Sequence, residues 1–229
     1  MSTIDFDGVS HAFGERMVLR DIRLSLTEQR IGIVGANGSG KSTLVRLING
    51  LIRPDTGTVS VGGLDVARHI KAVRRQVGFI FTNPDNQIVM PTVAEDVAFT
   101  LRRRGLTPLE ITTRTQAALA RFGLDQHADH PAHRLSGGQK QLLALAAVLV
   151  AEPEIVVADE PTTLLDARNA RRITELLLGL SQQVIVVTHQ LDLLAAFDRV
   201  IVMEDGRVVA DDAPDAALGA YRELLSGPA

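Results

Sequence analysis

The segment Gly35-Ala-Asn-Gly-Ser-Gly-Lys41-Ser42 constrains this chain more than any other stretch. It satisfies the pattern GxxxxGK[ST], and it lies between a β-branched run, Ile31 to Val34, and a helical pattern, Thr43 to Asn49. Such a strand, loop and helix belong in a parallel sheet. Glycines let backbone N–H groups curl around a phosphate, and the helix N-terminus adds the positive end of its dipole. Lys41 is then placed to reach the β and γ phosphates and Ser42 to offer its hydroxyl to Mg²⁺, with Gly35, Asn37, Gly38, Ser39, Gly40 and Thr43 completing the cradle.

The rest of the chain agrees with that unit. Val18 to Leu26 alternates apolar and polar residues, and Thr58 to Val61 follows Gly57, so both are expected as half-buried antiparallel strands. Short β-branched runs at Val77 to Phe81, Ile155 to Ala158 and Val184 to Val187 join Ile31 to Val34 as expected parallel central strands. Between them the period becomes helical, at Ala94 to Arg103, Glu110 to Phe122 and Gln139 to Ala151. Strand and helix then resume through Ala167 to Leu178, Ile201 to Met203 and Ala216 to Leu225. The expectation is one α/β domain with a parallel-sheet core and an N-terminal antiparallel β layer. Residues 1–85 and 153–229 form that core, and residues 86–152 form an inserted helical subdomain.

Composition removes several alternatives. At 229 residues, with 45% hydrophobic and 22% charged residues, the chain can bury a core and shows no signature of disorder. Lys and Arg number 24 against 27 Asp and Glu, a formal charge of −3 that offers no overall basic field for nucleic acid. With no cysteine there is no disulfide, thiolate nucleophile or Cys-ligated zinc. Residues 1 to 20 lack the apolar centre of a signal peptide. The longest apolar run, Leu142 to Ala151, is half the roughly 20 residues that a membrane-spanning helix needs.

Two further motifs carry chemistry. Asp159-Glu160 ends the buried run Ile155 to Ala158, at the strand edge where ligands gather in open α/β sheets. Asp159 is the partner expected for Mg²⁺, directly or through a bound water, and Glu160 the expected base for water. With the phosphate loop, this pair specifies a nucleoside triphosphatase, because phosphoryl transfer needs metal, phosphate clamp and positioned water together. No Asn-Lys pair occurs, so the base reader expected of a GTPase is missing and ATP is favoured. Leu135-Ser136-Gly137-Gly138-Gln139 opens a helix and leaves N–H donors free for a second anion.

Gly35 to Ser42, Leu135 to Gln139, Asp159-Glu160-Pro161-Thr162 and Thr188-His189, in that order, resemble the ATP-binding cassette of ABC transporters over nearly the whole chain. The resemblance implies ATP with Mg²⁺, and two cassettes, copies or paralogues, arranged head to tail. Ser136, Gly137, Gly138 and Gln139 would then serve the ATP held by the partner's phosphate loop. It also implies that Phe13 stacks on adenine, with a core Phe as the alternative, and that His189 contacts the γ phosphate. Asp166 would belong to the loop crossing the dimer interface, where Leu164 replaces the usual small residue. After Val77 to Phe81 the family has a glutamine touching metal and water; here Thr82 either serves through its hydroxyl or that contact is missing, and Gln87 is too far along to substitute directly.

Asn83 to Val97 is similar to the energy-coupling-factor group. That resemblance implies a peripheral motor on the cytoplasmic face of the membrane, driving uptake of a vitamin, biotin favoured, or of cobalt or nickel. Separate membrane subunits would provide coupling and cargo binding. The alternatives are the ATPase of another ABC transporter type and a soluble cassette acting on DNA or ribosomes. The latter carry long coiled-coil insertions or paired cassettes, which 229 residues with one motif set do not accommodate. Within the stretch, Ile88 and Met90 are expected to line an apolar groove for a helix of the membrane partner, with a core segment as the alternative. His127, His130 and His133 with Asp125 and Asp129 match no metal-ligand spacing and are expected in a solvated loop, and Arg102 to Arg104 in a solvated helix end.

Overall fold

The computed structural model describes residues 2–102 and 104–226. Strands β1 (Ile4–Phe13), β2 (Arg16–Leu26), β4 (Thr56–Val61) and β5 (Leu64–Asp65) form an antiparallel sheet in the order β2-β1-β4-β5. Strands β3 (Arg30–Gly35), β6 (Val77–Ile80), β7 (Ile155–Asp159), β8 (Gln183–Val187), β9 (Arg199–Glu204) and β10 (Arg207–Asp212) form a second sheet in the order β10-β9-β3-β8-β7-β6. All neighbours in it are parallel except β9 and β10.

The pleat of this second sheet divides the core. Ile31, Ile33, Ile155, Val157, Ile185, Val187 and Ile201 point to one face, packed with the antiparallel sheet and with Leu44, Leu47 and Ile48 of α1 (Lys41–Ile48). Val34, Val156, Ala158, Val184, Val186 and Val200 point to the other, into a cluster with the helices. Both faces are covered, which is why these strands read as continuous apolar runs rather than alternations.

The second cluster is built by α3 (Val93–Leu101), α4 (Pro108–Phe122), α5 (Gly137–Leu149), α6 (Ala167–Leu178) and α8 (Pro214–Ser226), through Val97, Leu119, Leu143, Ile173 and Leu218 among others. Helix starts follow local chemistry. Thr92 with Glu95, Thr107 with Glu110, and Ser136 with Gln139 each form a reciprocal capping box, and Pro108 fills the first turn of α4. Two short helices complete the fold, α2 (Ile70–Gln76) and α7 (Leu191–Leu194). Among the described residues no helix is long and apolar enough to cross a membrane.

Several elements differ from the sequence expectation. Helix α3 begins at Val93 and ends at Leu101; Arg103, expected at its end and within the basic run, lies outside the described residues. Strands β1 and β10 and helix α2 carry no expected counterpart, since none of them presents an uninterrupted apolar period.

Candidate functional site

The phosphate loop runs from the end of β3 to the start of α1, and its shape depends on glycine. Gly40 has φ +102°, and a Cβ there would stand 2.6 Å from the carbonyl oxygen of Val18 and 2.9 Å from Leu19. Only glycine enters α1 at that approach. The Lys41 side chain is buried, and its Nζ donates to the carbonyls of Gly35 and Ala36, both at 2.8 Å. Burial pushes this ammonium below the ordinary lysine range, and the charges of Glu160 and then Asp159 act in the opposite direction. Ser39 and Thr43 are buried in the same loop and helix start, and the Ser39 hydroxyl has no partner among the described residues.

Asp159, fully buried at the end of β7, stands across from this loop. The Ser42 hydroxyl donates to its Oδ1 at 2.7 Å, and Arg46 Nη2 to its Oδ2 at 3.0 Å. Thr82, just beyond β6, donates its hydroxyl to the backbone carbonyl of Asp159 at 2.7 Å. A hydroxyl and a carboxylate side by side are hard oxygen donors of the kind Mg²⁺ takes, and Arg46 already brings a cation to that carboxylate. Gln87 is engaged elsewhere: it accepts from the Phe81 N–H at 3.3 Å and donates to the Ala144 carbonyl at 3.0 Å, tying the end of β6 to α5.

Glu160 follows with φ +51°, a left-handed backbone unusual for a residue with a side chain, and its N–H donates to the Val187 carbonyl at 2.9 Å. Its Oε1 lies 2.8 Å from His189 Nε2, and its Oε2 accepts from the Thr163 hydroxyl at 3.0 Å. A cleft of about 260 Å³ opens between Glu160 and the phosphate loop. It is lined by Phe13, Arg16, Asn37, Gly38, Lys41, Ser42 and Glu160 among others. Phe13 is 55% exposed there and packs edge-on against His11, with ring centres 4.7 Å apart. That exposure disagrees with a core Phe.

Ser136, Gly137, Gly138 and Gln139 do not line this cleft. They form a separate cluster at the start of α5. A Cβ on Gly138 would lie 2.5 Å from the Asn169 side chain, and Asn169 Nδ2 donates to Asp166 at 2.8 Å. The second helix start and the Asp166 loop are thereby packed together. Asp166 also caps α6 by accepting from the Asn169 N–H, which holds its carboxyl below the usual range.

A groove of about 300 Å³ lies between β6, α3 and α5. Its exposed apolar side chains are Val89 and Phe99, 63% and 48% exposed, whereas Ile88 packs partly buried against the core. The expectation for Ile88 and Met90 is not met, since neither lines the groove and Val89 between them does; Asp96 accepts the N–H groups of Val89 and Met90 at 2.8 and 3.0 Å and turns the segment. The basic run is not simply solvated either, since Arg104 donates to the Ala151 carbonyl at 2.8 Å.

Arg46, Thr163 and Arg16 escaped sequence reasoning. Arg46 was within reach, because it follows Ser42 by four positions on one helix and so shares its face. Thr163 and Arg16 are placed by turns with no local pattern.

A model of the family described as ABC transporter matches residues 19–163. The chain belongs to the ABC transporter family. It is an ATP-binding, ATP-hydrolysing subunit. A chain named as an ABC transporter ATP-binding protein from Deinococcus radiodurans is 53% identical, over 98% of this chain and all of that one. The biotin transport ATP-binding protein BioM of Rhizobium etli is 47% identical, over 97% and 99%. The energy-coupling factor transporter ATP-binding protein EcfA1 of Caldanaerobacter subterraneus is 44% identical, over 86% and 74%, and the chain is an ATPase of that energy-coupling-factor type. Among solved structures, cbiO1 of Clostridium perfringens, part of the ABC transporter complex cbiONQ, superposes with a TM-score of 0.83 at 31% identity, over 97% of this chain and 92% of that one. A dimeric ATP-binding cassette in a post-hydrolysis state with ADP and Pi gives 0.82 at 29%, over 92% and 98%.

Proposed function

We propose that this ABC ATPase drives biotin uptake through an energy-coupling-factor importer. The observation that supports the cargo is the end-to-end likeness to the Rhizobium etli biotin transport subunit, 47% identical over 97% of this chain. Cobalt uptake is the second reading, favoured by the likeness to the cobalt import ATP-binding protein CbiO of Syntrophus aciditrophicus, 41% identical over 89% of this chain and 75% of that one.

In this reading two cassettes, copies or paralogues, close head to tail on the cytoplasmic face of the membrane. Phe13 stacks on adenine, and the loop from Gly35 to Thr43 holds the phosphates with the Lys41 charge among them. Ser42 and Asp159 hold Mg²⁺, which neutralises charge on the phosphate oxygens when bound. Thr82 steadies Asp159 through its carbonyl. The partner's phosphates meet Ser136, Gly137, Gly138 and Gln139, and Asp166 lies at the interface.

Water adds to the γ phosphorus as the bond to the bridging oxygen breaks, and Glu160 takes the proton of that water. Both carboxylate oxygens of Glu160 are occupied, one by His189 and one by Thr163. A γ phosphate that draws His189 to itself frees Oε1 to accept the proton, so nucleotide arrival and base activation are one event. The helical segment 86–152 transmits closure to the membrane partner, whose amphipathic helix occupies the groove at Val89 and Phe99.

The test is reconstitution of the chain with its co-purified membrane subunits in vesicles, followed by uptake of labelled biotin, Co²⁺ or Ni²⁺. ATP-dependent biotin accumulation is expected. Accumulation of the metal ions instead would transfer the assignment to the second reading.

A further inference from the structure

We propose that His127 is a positioning residue for the ATP-contacting motif Ser136–Gln139, acting through the Gln139 amide. This rests on the composite-site reading above. His127 lies twelve residues before Gln139, in the loop between α4 and α5, and only half of the arrangement is local to that loop.

Four contacts fix one proton pattern. The Ser136 N–H donates to Gln139 Oε1 at 2.9 Å, while the Gln139 N–H reaches back to the Ser136 hydroxyl at 3.3 Å. With its oxygen held by Ser136, the Gln139 amide must present Nε2 on its other side. That nitrogen is 2.9 Å from His127 Nε2. An amide NH₂ can only donate, so His127 Nε2 must be the acceptor and the ring proton must reside on Nδ1. His127 Nδ1 is 2.9 Å from His130 Nδ1, which therefore accepts in turn. Each of these four contacts then pairs one donor with one acceptor, and a turned Gln139 amide would instead set its NH₂ against the Ser136 N–H.

The consequence falls on Ser136. A free Gln139 amide can rotate away from the Ser136 N–H, and Ser136 then loses one half of its capping box. Gly137 and Gly138 contribute no side chain that could hold the motif in place. The hydroxyl and N–H groups that the partner's phosphates would meet are thus oriented from outside the motif, by an imidazole in the preceding loop. His127, half-buried, leaves the solvated-loop expectation for this reason, while His130 stays exposed in that loop.

The experiment uses the full chain carrying Glu160→Gln, which keeps ATP-bound dimers from turning over. ATP-dependent dimerisation is measured by sedimentation, with ATP binding to the monomer and melting temperature alongside. His127→Met fills similar space with no comparable acceptor; one neutral hydrogen bond lost in each cassette should weaken dimerisation about tenfold while monomer binding stays unchanged. His127→Gln returns an acceptor near the position of Nε2 and should restore dimerisation to within about twofold of the parent. His130→Ala, at an exposed side chain, should weaken it about twofold without a change in melting temperature. Dimerisation of His127→Met equal to the parent overturns the proposal, and so does a His127→Gln variant as impaired as His127→Met. Ser136→Arg separates the two layers of argument: if it too leaves dimerisation intact, the composite-site reading has failed and not the role of His127 alone.

Discussion

Replacing Asp159 by asparagine removes one charge and leaves an acceptor in place, and the geometry sets how much is lost. The carboxylate side chain is 1% exposed, with Ser42 Oγ at 2.7 Å and Arg46 at 3.0 Å. A hydrogen bond to a buried charged group contributes about 1.5–3 kcal/mol and a neutral one about 0.5–1.5 kcal/mol, so asparagine costs about 1 kcal/mol at Ser42. Arg46 is 40% exposed and regains water, which limits its share to about 0–1 kcal/mol. The sum is about 1–2 kcal/mol, or roughly 2–8 °C in melting temperature for a chain of this size. Alanine removes both bonds and leaves a void, raising the loss to about 2–4 kcal/mol. Thermal unfolding of the nucleotide-free chain reads these values. Titration with a fluorescent ATP analogue, with Mg²⁺ or with chelator, then separates metal from phosphate. The asparagine variant should bind nucleotide normally in chelator and gain little from Mg²⁺. A full Mg²⁺ gain in that variant, or an asparagine variant as unstable as the alanine one, would refute the reasoning.

Three further outcomes follow from the same geometry. Burial lowers the Lys41 pKa and bound phosphate raises it again, so binding takes up a proton; nucleotide affinity should fall as pH rises from neutral toward the ordinary lysine range, and a flat profile would remove Lys41 from the phosphate clamp. Thr82→Gln breaks the bond to the Asp159 carbonyl while supplying the family's usual side chain; basal hydrolysis should change modestly and partner-stimulated hydrolysis more, measured with and without the membrane subunit, whereas no change in either would place Thr82 outside the site. Charged replacements at both Val89 and Phe99 should leave melting temperature and ATP binding intact but abolish co-purification with the membrane partner, and normal assembly would sink the groove assignment.

The elements that the sequence announced are those whose contacts are local or whose burial is symmetrical. Gly35 to Ser42 is contiguous, and the strands β3, β7 and β8 are buried on both faces, so their apolar runs stand out. Strand β1 was illegible for a physical reason: its pairing with β2 shifts register between Phe6 and Val9, between Val9 and His11, and between His11 and Ala12, which breaks the period of two. Strand β10 is an edge with mostly exposed residues, and α2 buries only Val73, so neither presents an apolar stripe. In the site, Arg46 follows from helical spacing. The join of His127 to Gln139 and of Thr82 to Asp159 depends on tertiary packing that no local pattern encodes.

The central claim is that Glu160 activates water in an ATP site closed by a second cassette. Glu160→Gln keeps the side-chain shape and removes the base, so the direct measurement is steady-state ATP hydrolysis together with sedimentation of the same sample in MgATP. The account predicts turnover lowered about 10²–10⁴-fold and a dimer that persists with ATP bound. Turnover equal to the parent, or no cassette dimer at saturating MgATP either with the chain alone or with a co-purified second cassette, would contradict it.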